Sequence, residues 1–436
     1  MTYPQLSNVN CQMSTLILTY YFPPSGGSGV QRWLKFVKYL PQLGFEPIVL
    51  TVDEKYASYP QIDASLVDDI PENVRVIKTK TKEVLRFYKK VSPSGELPHT
   101  GFANERKPNL LQKISRFIRG NFFLPDPRKG WNKYALKEAS RLIENEGVDT
   151  VITTSPPHST QLIGLELKRR YPQIKWVADL RDPWTDIYYN KELYQTPYSR
   201  KKNAEYERSV LENADAIVTV SHECERNFCS KTKNLLPISV IPNGYDPDDF
   251  MAVKSVSDAD KSKKFTISYV GALSPVYEIE TFCRAVKRLT PEQKASIRLR
   301  FVGGAHEAAK AEIDKLGVET DWIGYVSHAE AIKYMVASDL LLLLLPNQAE
   351  NKGIVTGKIF EYMASGNPVL MIGFTDGDAA KIIAPYQQGG VFNFGDFKAV
   401  SEYIAGAMQT RPDVKKEAAG IYSRSQLASQ MAEIIF

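Results

Sequence analysis

Residues able to grip a phosphate or move a proton recur in this sequence at the ends of apolar runs. The first group is Gly26, Gly27 and Gly29 in LTYYFPPSGGSGVQRW, between an apolar run and a helix-like pattern. Glycines let backbone approach a ligand closely, and a helix start offers free N–H groups and a positive dipole end. That suits a phosphate; a tight turn alone is the competing reading. The dinucleotide fingerprint is not completed, because Arg32 stands where its third glycine would be, and no Gly-Lys-Ser/Thr follows to make a P-loop.

Later run ends carry further candidates. In TTSPPHSTQLIGL, His158 stands at the head of a helical pattern. It can donate a hydrogen bond to a substrate or to charge developing on a leaving group, or it can be a capping residue in solvent. In WVADLRDPWTD, Asp179, Asp182 and Asp186 crowd around Arg181. They read as an ion pair with helix capping by Asp182 before Pro183, or as a polar site for sugar hydroxyls or a general base. Ser221 is a helix N-cap with Glu223 in the first turn. The D-P-D and D-A-D spacings at Asp246 and Asp258 lie in polar, turn-rich sequence and read as solvated turns. In NKGIVTGKIFEYMASGNPVL, Gly353 and Gly357 flank Thr356, and Lys358 opens a helix with Glu361 one turn inside. Thr-Gly-Lys at a helix start is an anion site by geometry and charge, and Glu361 can accept two hydrogen bonds from a ribose diol. A capped helix with a solvated glutamate is the plainer alternative.

Short strands must hold these residues in place. Expected strands are Thr15–Phe22, Pro47–Val52, Val74–Thr79, Thr150–Ser155, Lys175–Leu180, Ala216–Ser221 and Ser239–Pro242, with helices such as Val30–Leu43, Trp131–Glu146, Ser159–Arg170 and Ala204–Glu212 between them. A polar stretch, Asn243 to Lys264, interrupts the alternation and reads as a linker. The alternation resumes with strands at Thr266–Val270, Arg298–Val302, Asp321–Tyr325, Leu340–Leu345, Pro368–Ile372 and Val391–Phe394. The strands are apolar on both faces, as in parallel sheets covered by helices. Two β/α sheets in sequence imply two domains with a cleft between them, and ligands in such sheets sit beyond the carboxyl ends of the strands.

With 43% hydrophobic and 24% charged residues in 436, the chain has an ordinary globular composition. A net charge of +5 suits an anionic ligand or membrane surface, and equally a solvated positive face. Four scattered cysteines, Cys11, Cys224, Cys229 and Cys283, form no C-x-x-C pair and read as free thiols in a reducing compartment. The N-terminus lacks the basic and apolar regions of a signal peptide. Six consecutive leucines from Leu340 are too few to span a membrane. Residues 78–90 and 106–133 are basic with interleaved aromatics, and Leu110, Leu111, Ile114, Phe117 and Ile118 fall near helical spacing. This reads either as a helix lying on an anionic leaflet or as one packed on the first domain with a solvated basic face. No nucleic-acid motif is present.

Taken together, PPSGGSGVQR, ADLRDPW, IPNGYDPDDF and KIFEYMASGNPVL, in this order, resemble the family-4 glycosyltransferases over nearly the whole chain. The resemblance implies the GT-B architecture: an α/β fold of two Rossmann-like β/α/β domains facing each other across a cleft. The acceptor domain would span 14–244, a linker 245–264 and the nucleotide-sugar domain 265–415, with a helix at 416–436 returning to the first domain. It implies sugar transfer from a nucleotide diphosphate sugar with retained anomeric configuration and no metal or other cofactor. Glu361 matches the ribose-binding glutamate, Gly26 and Gly27 the glycine loop facing the diphosphate, and His158 the histidine touching the transferred sugar. Two departures stand out. Gly353 occupies the position of a glutamate that contacts the donor sugar, and no cation lies between Gly271 and Arg284, where the family grips the diphosphate. Lys358 is the candidate replacement, with Gly271, Thr356 and Gly357 beside it.

The expected function is therefore sugar transfer to a hydroxyl of a glycan or lipid-linked acceptor in cell-surface polysaccharide synthesis. His158 would bind the donor sugar, and Asp179 or Asp182 would orient the acceptor. The expected location is the cytoplasm, at the inner face of the membrane, with no nucleic-acid partner. An epimerase or hydrolase on the same fold and a non-catalytic sugar-nucleotide-binding protein are the rival readings.

Overall fold

The computed structural model describes residues 13–59, 61–82, 110–232, 237–251, 253, 264–348 and 352–436. The first sheet comprises β1 (Met13–Leu18), β2 (Phe45–Val52), β3 (Arg75–Thr79), β4 (Thr150–Ser155), β5 (Lys175–Leu180), β6 (Ala216–Thr219) and β7 (Ile238–Val240). The second comprises β8 (Phe265–Val270), β9 (Ile297–Val302), β10 (Glu319–Gly324), β11 (Leu340–Leu344), β12 (Val369–Ile372) and β13 (Val391–Phe392). Their orders are β3-β2-β1-β4-β5-β6-β7 and β10-β9-β8-β11-β12-β13, with every pairing parallel. Each expected strand is found, most with ends shifted by a residue or more. β4, β6 and β11 are buried at every position, as strands covered on both faces must be.

The helices around the first sheet are α1 (Ser28–Tyr39), α2 (Leu110–Phe122), α3 (Asn132–Glu146), α4 (Gln161–Arg170), α5 (Pro197–Asn213) and α6 (His222–Cys229), followed by the short α7 (Pro247–Met251). Those of the second part are α8 (Glu280–Lys287), α9 (Pro291–Ser296), α10 (Glu307–Asp314), α11 (His328–Val336), α12 (Lys358–Ser365), α13 (Asp378–Ile383) and α14 (Phe397–Gln409). The last helix, α15 (Arg424–Ile435), returns to the first sheet. Leu427, Ala428, Met431 and Ile435 are fully buried in one cluster with Ile17 of β1 and Leu34 and Val37 of α1. Each large apolar side chain so buried contributes roughly 1.5–3 kcal/mol. The outgoing and returning chains pair side by side: Tyr245 N–H donates to Tyr422 O (3.1 Å), and Arg424 N–H to Tyr245 O (2.7 Å). Among the described residues no helix is long and apolar enough to cross a membrane.

The D-P-D stretch is not a solvated turn. Asp246 is buried and accepts from Lys38 Nζ (2.7 Å) and Tyr39 Oη (2.6 Å), with Lys35 Nζ at 2.9 Å. Three side chains on one face of α1 are thus tied to the crossing segment. Asp258 lies outside the described residues, as do Cys11 and the basic residues 83–109.

Strand order reverses between β1 and β4 in the first sheet and between β8 and β11 in the second. Such switch points open a crevice at the carboxyl ends of the strands. Gly26 and Gly27 follow β1, His158 follows β4, Gly271 follows β8, and Thr356–Lys358 follow β11. The topology therefore brings four separate stretches of sequence to two crevices.

Candidate active site

On the wall built by the first sheet, Gly27 precedes α1 with φ +89° and ψ 172°, and no side chain caps the helix. A residue with a Cβ is strained there. Gly26 is buried and spends its N–H on Gln61 O (3.0 Å), so Gly27 is the exposed member of the pair. His158 begins the turn leading into α4 and is nearly buried. Its ring stacks on Trp184 with centroids 4.8 Å apart and planes 12° from parallel. Neither ring nitrogen has a hydrogen-bond partner among the described residues. Burial, with Arg181 and Lys231 nearby, pushes its pKa down to about 3, so the ring is neutral at physiological pH. A neutral imidazole with both nitrogens uncommitted is available to hydroxyls on a ligand.

Asp179 does not line the crevice, contrary to the expectation that it orients the acceptor. It is fully buried, and its oxygens accept from Arg32 Nε and Nη2 (3.1 and 3.0 Å), Trp33 Nε1 (2.8 Å) and Thr154 Oγ1 (2.8 Å). Arg32, the residue that spoils the dinucleotide fingerprint, is also fully buried and donates to Ile241 O and Pro242 O. Arg181 is likewise structural, donating to Ser155 O (2.9 Å), Gly29 O (2.9 Å) and Pro156 O. Asp182 remains half-buried at the end of β5, with no helix starting there. Burial raises its pKa, Arg181 opposes this, and Asp179 adds to it.

On the second wall, Gly271 leaves β8 with φ +127°, and a Cβ there would lie 2.4 Å from Lys358 Cε and 2.7 Å from Nζ. Lys358 Nζ donates to Tyr269 Oη (2.7 Å) and lies 4.3 and 5.3 Å from the ring centroids of Tyr269 and Tyr277. No carboxylate forms an ion pair with it among the described residues. Burial lowers its pKa to about 8, against the raising effect of Glu361. Among the described residues Thr356 Oγ1 is buried without a partner, and a Cβ on Gly357 would meet nothing within 4 Å. An ammonium, a hydroxyl and a helix start with open space before it form an anion cradle.

Glu361 sits one turn into α12, 4.0 Å from His328 Nε2. His328 in turn meets Asp249 Oδ2 at 3.1 Å, and Asp249 meets Lys35 Nζ at 3.2 Å. Burial disfavours the charged ring, but the Asp249 hydrogen bond and Glu361 outweigh it and raise His328 to about 9. Burial, opposed by His328, raises Glu361. Arg424, at the start of α15, is buried within electrostatic reach of Arg32 and Glu361, and its Nη1 has no hydrogen-bond partner among the described residues. Across the crevice, Tyr325 Oη of the second wall donates to Asp63 Oδ2 of the first (3.3 Å), and Tyr188 lies within electrostatic reach of Tyr277 and Asp182. The two walls therefore face each other closely.

Residues 254–425 match the family model for glycosyl transferases group 1, and residues 97–249 match that for glycosyltransferase family 4. The chain belongs to the family-4 glycosyltransferases. No curated protein matches the sequence. Among solved structures, sucrose-phosphate synthase from Thermosynechococcus elongatus aligns over 97% of this chain and 98% of its own, with TM-score 0.65 and 14% identity. HepE from Anabaena, in complex with UDP and glucose, aligns over 97% and 99%, with TM-score 0.62 and 14% identity. WaaG, a glycosyltransferase involved in lipopolysaccharide biosynthesis, aligns over 97% and 99%, with TM-score 0.58 and 15% identity. At these identities the likeness is one of fold: two facing Rossmann-like domains.

Within this glycosyltransferase, the glycine at position 353 has a local cause. A Cβ there would lie 2.4 Å from Glu223 Cβ and 2.8 Å from its Cγ. The start of α6, on the opposite domain, fills the space a side chain would need. Asp378 of α13 clasps the same helix start, accepting the Glu223 N–H at 2.7 Å. Several residues around the glycosyltransferase crevice were not anticipated as contributors: Trp184, Tyr269, Tyr277, His328, Arg424 and Asp378. Trp184 stood inside the quoted ADLRDPW, and His328 follows a strand end in WIGYVSHAE, so the strand-end rule reaches both. Nothing local marks Tyr269, which lies inside β8, or Arg424, which arrives from the far end of the chain.

Proposed function

We propose that this glycosyltransferase moves a sugar, with retained configuration and without a metal, from a nucleotide diphosphate sugar to a hydroxyl of a glycan or lipid-linked acceptor. The setting is cell-surface polysaccharide synthesis at the cytoplasmic face of a membrane. The observation that carries this is Lys358, a half-buried ammonium set against Gly271 near the Thr356 hydroxyl, with no carboxylate in an ion pair with it among the described residues. A diphosphate supplies that charge. HepE, of the same fold, was solved with UDP and with UDP-glucose, which supports a donor of this kind.

The donor's nucleotide would lie along α12, its ribose diol on Glu361 and its diphosphate at Lys358, Thr356 and the Gly357 backbone. As the bond from the sugar's anomeric carbon to the phosphate oxygen breaks, charge grows on the diphosphate, where these groups and the start of α1 at Gly27 stabilise it. The neutral His158 ring accepts from or donates to the transferred sugar. Asp182 orients the acceptor hydroxyl, whose oxygen forms the new bond to the anomeric carbon while its proton passes to the departing phosphate. Closure of the two walls excludes water.

The hydrolase rival needs two opposed carboxylates. Asp179 is saturated by Arg32, Trp33 and Thr154, and Asp186 is exposed and held by Lys231 (2.8 Å) and Asn227 (2.7 Å), which leaves Asp182 without an opposed partner among the three aspartates. Titration calorimetry against UDP, GDP, dTDP and their sugars tests the proposal. Binding of one nucleotide series, lost in Lys358→Ala, is expected; no binding to any of them overturns it.

A further inference from the structure

Helix α2 is built inside out. Its apolar side chains Leu110, Leu111, Ile114, Phe117, Ile118 and Phe122 are 41–75% exposed. Their spacing places them on one stripe of the helix. The opposite stripe is polar or small and points inward. Arg116 is buried and pairs with Glu192 at 2.5 Å, and a Cβ on Gly120 would lie 2.4 Å from Leu193 O. Asn121, which falls within the apolar stripe at the C-terminal end of the helix, donates to Tyr194 O (3.1 Å) and accepts from Thr196 N–H (2.7 Å). These contacts fix the rotation of the helix, so the outward apolar face is not a loosely packed accident.

We infer that the outer face of α2 seats on the surface of an anionic lipid bilayer and sets the crevice against it, where a lipid-anchored acceptor is delivered. A stripe of this width left in water marks an interaction site. Charge and rim chemistry choose the partner. Lys113 is exposed on α2 itself, and the exposed Arg200 and Lys201 follow Tyr194 and Tyr198, 42% and 72% exposed, at the helix's end. Apolar residues bordered by tyrosines and cations match the layering of a bilayer interface, with acyl chains beneath and anionic headgroups above. The face is also continuous with the crevice. The turn Tyr188–Leu193 grips α2 through Leu193, while Tyr188 at its head lies within electrostatic reach of Asp182 and Tyr277. An acceptor anchored in that bilayer would approach the Asp182 side. This last step rests on the sugar-transfer proposal; the docking does not.

The test is flotation of the full chain with vesicles of equimolar phosphatidylcholine and phosphatidylglycerol, and with phosphatidylcholine alone. Ile114→Asp/Phe117→Asp alters only exposed positions and is expected to weaken partitioning onto the anionic vesicles by at least about tenfold. Lys113→Glu keeps the apolar face intact and is expected to lose several-fold on anionic vesicles and little on neutral ones. Wild type that does not float, or floats equally with either variant, overturns the inference. So does light scattering that shows a dimer which the double variant dissociates, since a second copy would then cover the face. Nucleotide binding measured on the same samples separates the two proposals: vesicle binding without nucleotide binding sinks only the donor assignment, and the reverse sinks only this surface.

Discussion

Arg32 and Asp179, 147 residues apart in sequence, form a fully buried two-point ion pair, Nε to Oδ2 at 3.1 Å and Nη2 to Oδ1 at 3.0 Å. Removing one partner strands the other without solvent. Asp179→Ala is therefore expected to destabilise the protein by about 3–5 kcal/mol. Asp182→Asn is expected to change stability by less than about 1 kcal/mol and to lower turnover by roughly a hundredfold or more. Urea unfolding and initial-rate measurements on both variants check this. An Asp179→Ala enzyme that is stable but inactive would reverse the assignment of roles.

The fold was legible where strands buried on both faces are unbroken apolar runs, as β11 (LLLLL) and β12 (VLMI) are. Boundaries blurred where buried aromatic and apolar residues continue past the sheet, as at Thr19–Phe22, where the chain bends beyond β1. The crevice was legible to the extent that its residues follow strands, as His158 and Lys358 do. What sequence cannot display is a partner brought from far away. Asp179 and Asp182 look alike in DLRDPW, and only Arg32 from α1 separates the buried carboxylate from the half-buried one. Asp246 looked like a solvated turn for the same reason, its cations lying some 200 residues earlier on α1.

Burial holds Lys358 at about 8, well below an ordinary lysine. The ammonium is the form that attracts a diphosphate, so nucleotide affinity should be constant below pH 8 and fall as pH rises through it. The expected loss is about tenfold per pH unit above that point. Lys358→Arg, which keeps its charge, should remove the inflection. Calorimetric titration of the nucleotide across pH 6.5 to 9.5 measures both; a wild-type affinity flat across this range would remove Lys358 from the diphosphate site.

His328 carries the opposite sign. Its pKa is raised from the ordinary 6.5 to about 9 against the cost of burial, by Asp249 and Glu361. Its contribution to stability is full below pH 6.5 and is lost as pH rises through about 9. His328→Gln should cost on the order of 1–3 kcal/mol at pH 6 and little at pH 9.5. Urea unfolding of both proteins at the two pH values reads the difference, and a cost independent of pH would show that His328 acts by packing alone.

Restoring the family's glutamate should not improve this enzyme. At position 353 a Cβ would lie 2.4 Å from Glu223 Cβ, so Gly353→Glu has to push α6 and the second domain apart. The same movement would stretch the 2.7 Å hydrogen bond from the Glu223 N–H to Asp378. Turnover should fall, because a parted crevice admits water and misplaces the acceptor against the donor. Nucleotide affinity should change little, since Lys358 and Glu361 lie together on α12. Glu223→Gly clears the obstructing side chain, and in the double variant turnover should recover at least in part. A glutamate at 353 that raises turnover on its own would show that the crevice opens here at no cost, and that Glu223 does not set the residue opposite it.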